Sequence, residues 1–336
     1  MKTRYLLYTL LSGLLVNCHK PSKSTPAVDT PPPLITVDSV NACLDLPATP
    51  IPFGWTDSTT DESKNINAFI YNPLNPDEVI CRVNGDLYGF NQVINFNLIT
   101  KNAIPLGGTG YFLPQMNQFG WLVFSSSDNT VYKIKANGDS LVALTTGKTT
   151  QDPKWDYSGK NIYYYQQAYA TISSQLMKIN SSGLVINSVP TEIPFTAVFK
   201  KSDKIIYLRT SGSAVYLILH DMGGQGESTL LSGPYNSKDA QIYFDDLCLD
   251  NNDENLYWSN KNGIYRCNLK TLTPELILKN CPNRIYDNPI ISFKPDELTL
   301  TCHTIKALSP TKLFHEYKSL ELNLQSLVLT EIRVFP

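Results

Sequence analysis

Six times between residue 66 and the end of the chain, an apolar and aromatic run breaks at a few Asp, Asn, Ser, Gly or Pro residues and then resumes. The clearest instance is DPKWDYSGKNIYYY, which turns at Ser158-Gly159. NPLNPDEVICRV places a turn at Pro76-Asp77, and LPQMNQFGWLVFS places one near Asn117 to Gly120. IPFTAVFKKSDKIIYLR turns at Ser202-Asp203, FDDLCLDNNDENLYWS at Asn252-Asp253, and DNPIISFKPDELTLTCHT at Pro295-Asp296. These residue types reverse a chain at little conformational cost, so each stretch is predicted to be a β-hairpin. The tips recur at intervals of about forty to fifty residues, the length of one four-stranded propeller blade.

A blade needs two more strands, and each repeat supplies candidates. A third strand is predicted over Val93–Leu98, Val131–Ile134, Leu176–Ile179, Val215–Ile218, Ile264–Cys267 and Leu320–Leu324. A fourth follows a short polar turn, as in KANGDSLVALTT, INSSGLVINS and NLQSLVLTEI. VYKIK and LELNL alternate with the period of two expected of pleated strands. Composition agrees. Hydrophobic residues make up 42% of the 336, enough for a packed core, and 19 Tyr with 13 Phe favour strands over helices. The expected fold is all-β: a six-bladed β-propeller of four-stranded antiparallel blades over residues 66–336. Both end blades read as complete, and residues 37–65, with Cys43 and Trp55, are expected to cross the seam or cover one end.

The first residues read as an address. MKTR is basic, and Tyr5 to Val16 is an apolar run of roughly a dozen residues, the length of a signal-peptide core and too short to span a bilayer. It ends in LLVNC, which resembles the lipobox of bacterial lipoproteins, with Asn17 where a smaller residue is usual. That resemblance implies that residues 1–18 are a lipoprotein-type signal peptide with its lipobox Cys, the Cys18 thiol being lipidated and Cys18 becoming the mature N-terminus; a plain secretory signal with Cys18 incidental fits the same run, and both readings export the chain. Residues 19–36 are rich in Pro, Ser and Thr and read as a tether. No acidic cluster follows the Cys, which favours a periplasm-facing anchor in the outer membrane. The formal charge of −2 argues against a nucleic-acid partner, which requires a basic face.

The repeats carry two resemblances. Pro153-Lys-Trp155 followed by Asp-Tyr-Ser158-Gly159-Lys160, and Pro289 through Phe293 to Pro295-Asp296, resemble the P-x-W-S-P-D-G-K repeat of TolB-like propellers. LYWSNKNGIYRCNLKT in the fifth repeat resembles the Tyr-Trp-Thr-Asp repeat of low-density-lipoprotein-receptor propellers. Both families are six-bladed, and both resemblances imply binding or scaffolding and no catalytic set.

The search for chemistry finds little. His220, His303 and His315 fall on different strands without a metal-binding spacing, and no G-x-S-x-G marks a nucleophile elbow. GGTG (107–110) and GGQG (223–226) lack the strand-then-helix context of a phosphate cradle and read as loops. Asp245, Asp246, Asp250, Asp253 and Glu254 lack the regular spacing of a calcium loop. Beyond Cys18, six cysteines permit disulfides in an exported chain, and zero or one bridge is expected because Cys81, Cys267 and Cys302 lie within strands. No cofactor, metal or catalytic residue is expected.

Ligands of propellers dock at one end of the central channel. The connections between successive blades converge at one end and contribute Tyr111, Asp152, Trp155, Tyr243, Arg284 and Tyr286, the candidates for a binding face. Packing of blade junctions is the competing role, above all for Trp155. The function expected is a non-catalytic, membrane-anchored propeller that binds or scaffolds an envelope protein or peptide segment. The alternatives are a glycan-binding or glycan-processing propeller and a purely structural envelope component.

Overall fold

The computed structural model describes residues 35–36, 57–60, 65–85, 89–108, 114–126, 128–146, 150–167, 174–191, 196–224, 226–234, 245–282, 284–291, 296–309 and 312–332. Two short N-terminal strands, β1 (Ile35–Thr36) and β2 (Asp57–Thr60), precede six antiparallel sheets. Blade one is β3 (Asn65–Asn72), β4 (Asn75–Gly85), β5 (Gly89–Asn97) and β6 (Ala103–Gly108). Blade two is β7 (Gln115–Met116), β8 (Trp121–Ser125), β9 (Val131–Lys135) and β10 (Val142–Ala143). Blade three is β11 (Thr150–Trp155), β12 (Asn161–Gln166), β13 (Gln175–Asn180) and β14 (Val185–Pro190). Blade four is β15 (Thr196–Val198), β16 (Lys204–Ser211), β17 (Ala214–Asp221) and β18 (Glu227–Pro234). Blade five is β19 (Asp245–Leu249), β20 (Asn255–Asn260), β21 (Gly263–Asn268) and β22 (Pro274–Lys279). Blade six is β23 (Arg284–Ile291), β24 (Glu297–Ser309), β25 (Lys312–Asn323) and β26 (Val328–Ile332). The protein is a six-bladed β-propeller. First strands of successive blades touch around the ring, and β3 meets β24 and β25 where the ring closes, so first strands are innermost.

The aromatic run NIYYYQ shows why the blades need each other. Alternate side chains of β12 leave opposite faces of its sheet. Ile162 and Tyr164 join Val123, Val131 and Leu144 of blade two, while Tyr163 joins Ile205, Tyr207 and Ile218 of blade four. Equivalent apolar clusters join blades one to two, four to five and five to six. At the closing seam the buried Thr299 hydroxyl of β24 lies 3.1 Å from the carbonyl oxygens of Phe69 and Ile290.

Turn chemistry is repeated as closely as the strands. At the third hairpin tip, Asp156 Oδ1 accepts the backbone N–H of Lys160 and Asn161, and Oδ2 accepts the Asn161 side-chain amide. Asp250 does the same for Asn252, Glu254 and Asn255 in blade five. The third-to-fourth strand turns begin with Asn97, Asn137, Asn180, Asp221, Asn268 and Asn323, each accepting the backbone N–H two residues on. Such side-chain-to-backbone bonds hold a turn without help from neighbouring blades.

Three expectations need correction. The first hairpin turns at Pro73-Leu74, not Pro76-Asp77, because Asn72 pairs with Asn75 and its Oδ1 accepts the Leu74 N–H. Gly107 and Gly108 finish β6 instead of starting a loop. Ile35–Thr36, the last two residues of the expected tether, form β1, which pairs with β26. β2 pairs in parallel with Lys312–His315 of β25, while β26 takes Ser319–Asn323 on the same strand. Blade six thus has four strands of its own and two donated ones. Cys81, Cys248, Cys267 and Cys302 are in the thiol form, and Cys281 is disulfide-bonded. Cys18, Cys43 and Trp55 lie outside the described residues, as do residues 1–34.

Candidate functional site

The expected binding face lies at the end where each blade hands on to the next. Tyr111 and Tyr243 fall outside the described residues there. The other four candidates are buried. Trp155 packs in the junction between blades two and three, the competing role, and its buried Nε1 has no hydrogen-bond partner among the described residues. Arg284 lies with its guanidinium 5.6 Å from the Tyr286 ring and 3.5 Å from Cys281 Sγ, and Tyr286 belongs to the cluster between blades five and six. Blades three and six stand opposite each other in a ring of six, so the structure does not bring Asp152 and Arg284 together. Sequence placed most of these residues on connections; in the folded chain they lie on the inner strands β11 and β23, where Trp155 and Tyr286 pack against the preceding blade.

Asp152 is the most unusual of the set. It sits in a bulge of β11, between Gln151 and Lys154, with φ of 47°, a left-handed conformation rare for a side-chain-bearing residue. Its carboxylate is 2.9 Å from Lys154 Nζ in an ion pair that lacks hydrogen-bond alignment at Oδ2, and it accepts the Thr196 backbone N–H. Lys154 Nζ also donates to the Thr196 carbonyl. Burial pushes the Asp152 carboxyl above its ordinary range and Lys154 pulls the other way, with burial prevailing. Thr196 Oγ1 and Gln166 Oε1, in blades four and three, are buried without hydrogen-bond partners among the described residues. A lone carboxylate already neutralised by an ammonium group is a poor cation site. This cluster ties the inner strands of blades three and four together.

A second polar cluster lies on blade four. Tyr207 donates its hydroxyl to Glu227 Oε1 at 2.7 Å, Arg209 Nη2 is 2.9 Å from the same oxygen, and His220 Nδ1 is 3.2 Å away. Burial and the Glu227 carboxylate push the Tyr207 phenol up, while Arg209 and Tyr207 hold Glu227 below its usual range against burial. A phenol held protonated beside an ion-paired carboxylate is a structural network and not a nucleophile. His303 and His315 occupy β24 and β25; their side chains are not described. The acids of the blade-five turn are already engaged: Asp250 caps its own turn, Asp253 accepts the N–H groups of Lys200 and Lys201 of the blade-four tip at 2.8 Å, and Glu254 pairs with Lys270. Among the described residues no three His, Cys, Asp or Glu side chains converge as a metal site.

The opposite end, formed by the hairpin tips, presents a different surface. Leu74, Phe119 and Tyr157 occupy the tips of blades one, two and three and are 65%, 57% and 43% exposed. Each of the first two leans on the next blade's turn glycine. A Cβ added to Gly120 would stand 2.5 Å from Leu74 Cδ1, and one added to Gly159 would stand 2.9 Å from Phe119 Cδ2. Both glycines have positive φ, 76° and 66°, so the turn and the overlap impose the same residue type. The tips of blades four and five instead carry Lys200, Lys201, Asn251, Asn252 and Asp253. Sequence reasoning passed over the apolar arc because it treated tips as chain reversals only. The available signal was a large apolar residue inside each of three successive turns.

No family model matches the chain, and no curated protein matches it. Among solved structures, a chain of a nidogen–laminin complex aligns with a TM-score of 0.47 at 11% identity over 63% of this chain and 79% of that one. TolB from Acinetobacter baumannii aligns with a TM-score of 0.48 at 13% identity over 63% of this chain and 53% of that one, about half its length. An oligogalacturonate lyase in complex with manganese aligns with a TM-score of 0.47 at 10% identity, covering 79% and 76%. These are distant structural likenesses at the level of the propeller.

Proposed function

We propose that the chain is a non-catalytic propeller of TolB-like ancestry, anchored through a lipidated Cys18 to the periplasmic side of an outer membrane, where it binds or scaffolds another envelope protein. The observation that supports this reading is the arc of Leu74, Phe119 and Tyr157, three large apolar side chains exposed side by side on successive tips. Apolar side chains grouped on a rigid rim are the usual core of a protein contact. On this reading the docking end is the one formed by the hairpin tips, opposite the end expected from sequence. A glycan-binding propeller is the second reading, favoured by the exposed rings of Phe119 and Tyr157, which could stack on sugars.

Photocrosslinking in native envelopes tests the docking end. A photoreactive residue at Phe119 or Tyr157 of the full chain is expected to trap one discrete protein, and Leu74→Asp/Phe119→Asp is expected to reduce its recovery at least tenfold. Equal trapping from a probe at exposed Lys270 would refute the assignment, and retention on polysaccharide with no trapped protein would favour the glycan reading. Metabolic palmitate labelling is expected to vanish in Cys18→Ser; persistent labelling would exclude the anchor.

A further inference from the structure

Cys281 is held in a disulfide, and elimination narrows its partner to two residues. The chain has seven cysteines. Cys81, Cys248, Cys267 and Cys302 are in the thiol form, which leaves Cys18 and Cys43. Both precede blade one, so a bond from either ties the N-terminal region to the start of blade six. Cys281 itself is a fixed anchor. It lies between β22 and β23 and is 4% exposed. Its N–H donates to the Arg284 carbonyl at 2.9 Å, and its own carbonyl accepts the Arg284 N–H at 3.1 Å. Beside it, Asn280 donates its N–H to the Asn262 carbonyl and accepts the Tyr286 N–H at Oδ1. The partner sulfur must therefore come to Cys281. Arg284 Nη2, 3.5 Å from Sγ, places a positive charge beside a sulfur that is negative while it attacks a disulfide.

Cys43 is the better placed of the two. It falls between β1 and β2, and both of these strands pair with blade six, the blade that Cys281 leads into. β2 lies opposite Lys312–His315, and the next residue of β25, Glu316, is level with Thr304 and through it with Arg284. Cys281 bridges to Arg284 on the far edge of β23. Four strand spacings across and a few residues along the sheet put Asp57 roughly 25 Å from Cys281. The chain from Cys43 to Asp57 reaches up to about 46 Å, so it covers that distance with slack. Anchors on both sides of Cys43 keep its sulfur concentrated near this blade. Cys18 is held from one side only, through a Pro-, Ser- and Thr-rich stretch.

We propose that Cys43 and Cys281 form a disulfide that closes the ring covalently, with blades one to five between its two ends. The choice of Cys43 rests in one respect on the anchored reading, since a lipidated Cys18 has no thiol to share. The bond forms by exchange with a disulfide-bearing oxidant of the compartment to which the chain is exported. The Cys43 thiolate attacks that disulfide and expels one thiolate. The Cys281 thiolate then attacks the mixed disulfide at Cys43 Sγ and expels the second. The two protons pass to the departing sulfurs, and the oxidant leaves as a dithiol. A cross-link closing so long a loop restricts the unfolded chain and so favours the closed ring.

Peptide mapping of the full chain, alkylated without reduction, tests it. A peptide pair joining Cys43 to Cys281 is expected, separating on reduction, and this readout does not depend on any variant folding. Cys43→Ser is expected to leave Cys281 open to alkylation after denaturation and to lower the melting temperature by at least about 3 °C. Dithiothreitol is expected to lower the wild-type melting temperature equally and to leave that of Cys43→Ser unmoved. A wild-type Cys281 that is alkylated or joined to a second chain, or a melting temperature unmoved by Cys43→Ser, would overturn the proposal. A Cys18–Cys281 pair would overturn it together with the lipid anchor. The Cys43–Cys281 pair found in a chain that takes no palmitate would support the proposal and remove the anchor alone.

Discussion

Gly159 condenses much of the residue-scale logic. Its φ of 66° closes the hairpin between β11 and β12, and its missing Cβ makes room for Phe119 of the preceding blade. Gly159→Ala is expected to lose about 1–3 kcal/mol in urea unfolding, from a left-handed backbone on a non-glycine residue and a displaced Phe119 ring. An unchanged midpoint would mean that the turn relaxes freely. Asp203 carries a pH signature. Burial works to raise its pKa, but Lys178 Nζ at 2.7 Å and the Tyr163 hydroxyl at 2.6 Å hold the carboxyl below its usual range. A folded-state pKa below the unfolded one gives stability that is present above the ordinary carboxylate range and lost as pH falls through the folded value. Asp203→Asn is therefore expected to be less stable than wild type at pH 7, with the difference shrinking below about pH 4. Equal destabilisation at pH 7 and pH 3 would remove the charge from the explanation. Asp152 has the opposite sign: its raised pKa makes ionisation work against the fold at neutral pH.

At the scale of elements, each strand is a compromise between two neighbouring blades. Trp258 of β20 is fully buried and stacks on Tyr265 of β21, with centroids 5.5 Å apart and planes 7° from parallel, inside the cluster shared with blade four. The Tyr-Trp motif of the fifth repeat is thus a packing device. Trp258→Ala is expected to cost about 3–5 kcal/mol in chemical denaturation, and a loss under about 1 kcal/mol would mean that the junction collapses around the gap. Strand existence and hairpin tips were legible in sequence because alternation and turn residues are local. The first tip was misplaced because NPLNPD offers two turn-forming pairs, and only the Asn72 and Asn75 pairing chooses between them. Burial of Arg284 and Tyr286 was not legible at all, since it depends on the preceding blade.

At the scale of the whole molecule, the ring must close, and both terminal regions contribute. β1 and β2 lie along β26 and β25, protecting edges that would otherwise be exposed at the last blade. Removing residues 1–60 is expected to lower the melting temperature by at least about 2 °C and raise light scattering near the transition, while the circular dichroism spectrum keeps its β signature. A truncated chain that melts like the full one would show that these strands are ornaments to the ring. The sequence by itself determined the four-stranded blade, the six-fold repetition and most of the turn chemistry, because alternation and chain reversal are written within a few neighbouring residues. The tertiary structure alone decided which side chains meet water. A blade face is exposed or buried according to the blade beside it, and that neighbour lies about forty residues away. Leu106 and Ile186 occupy the same place in their sheets, and only the packing around them makes one core and the other surface.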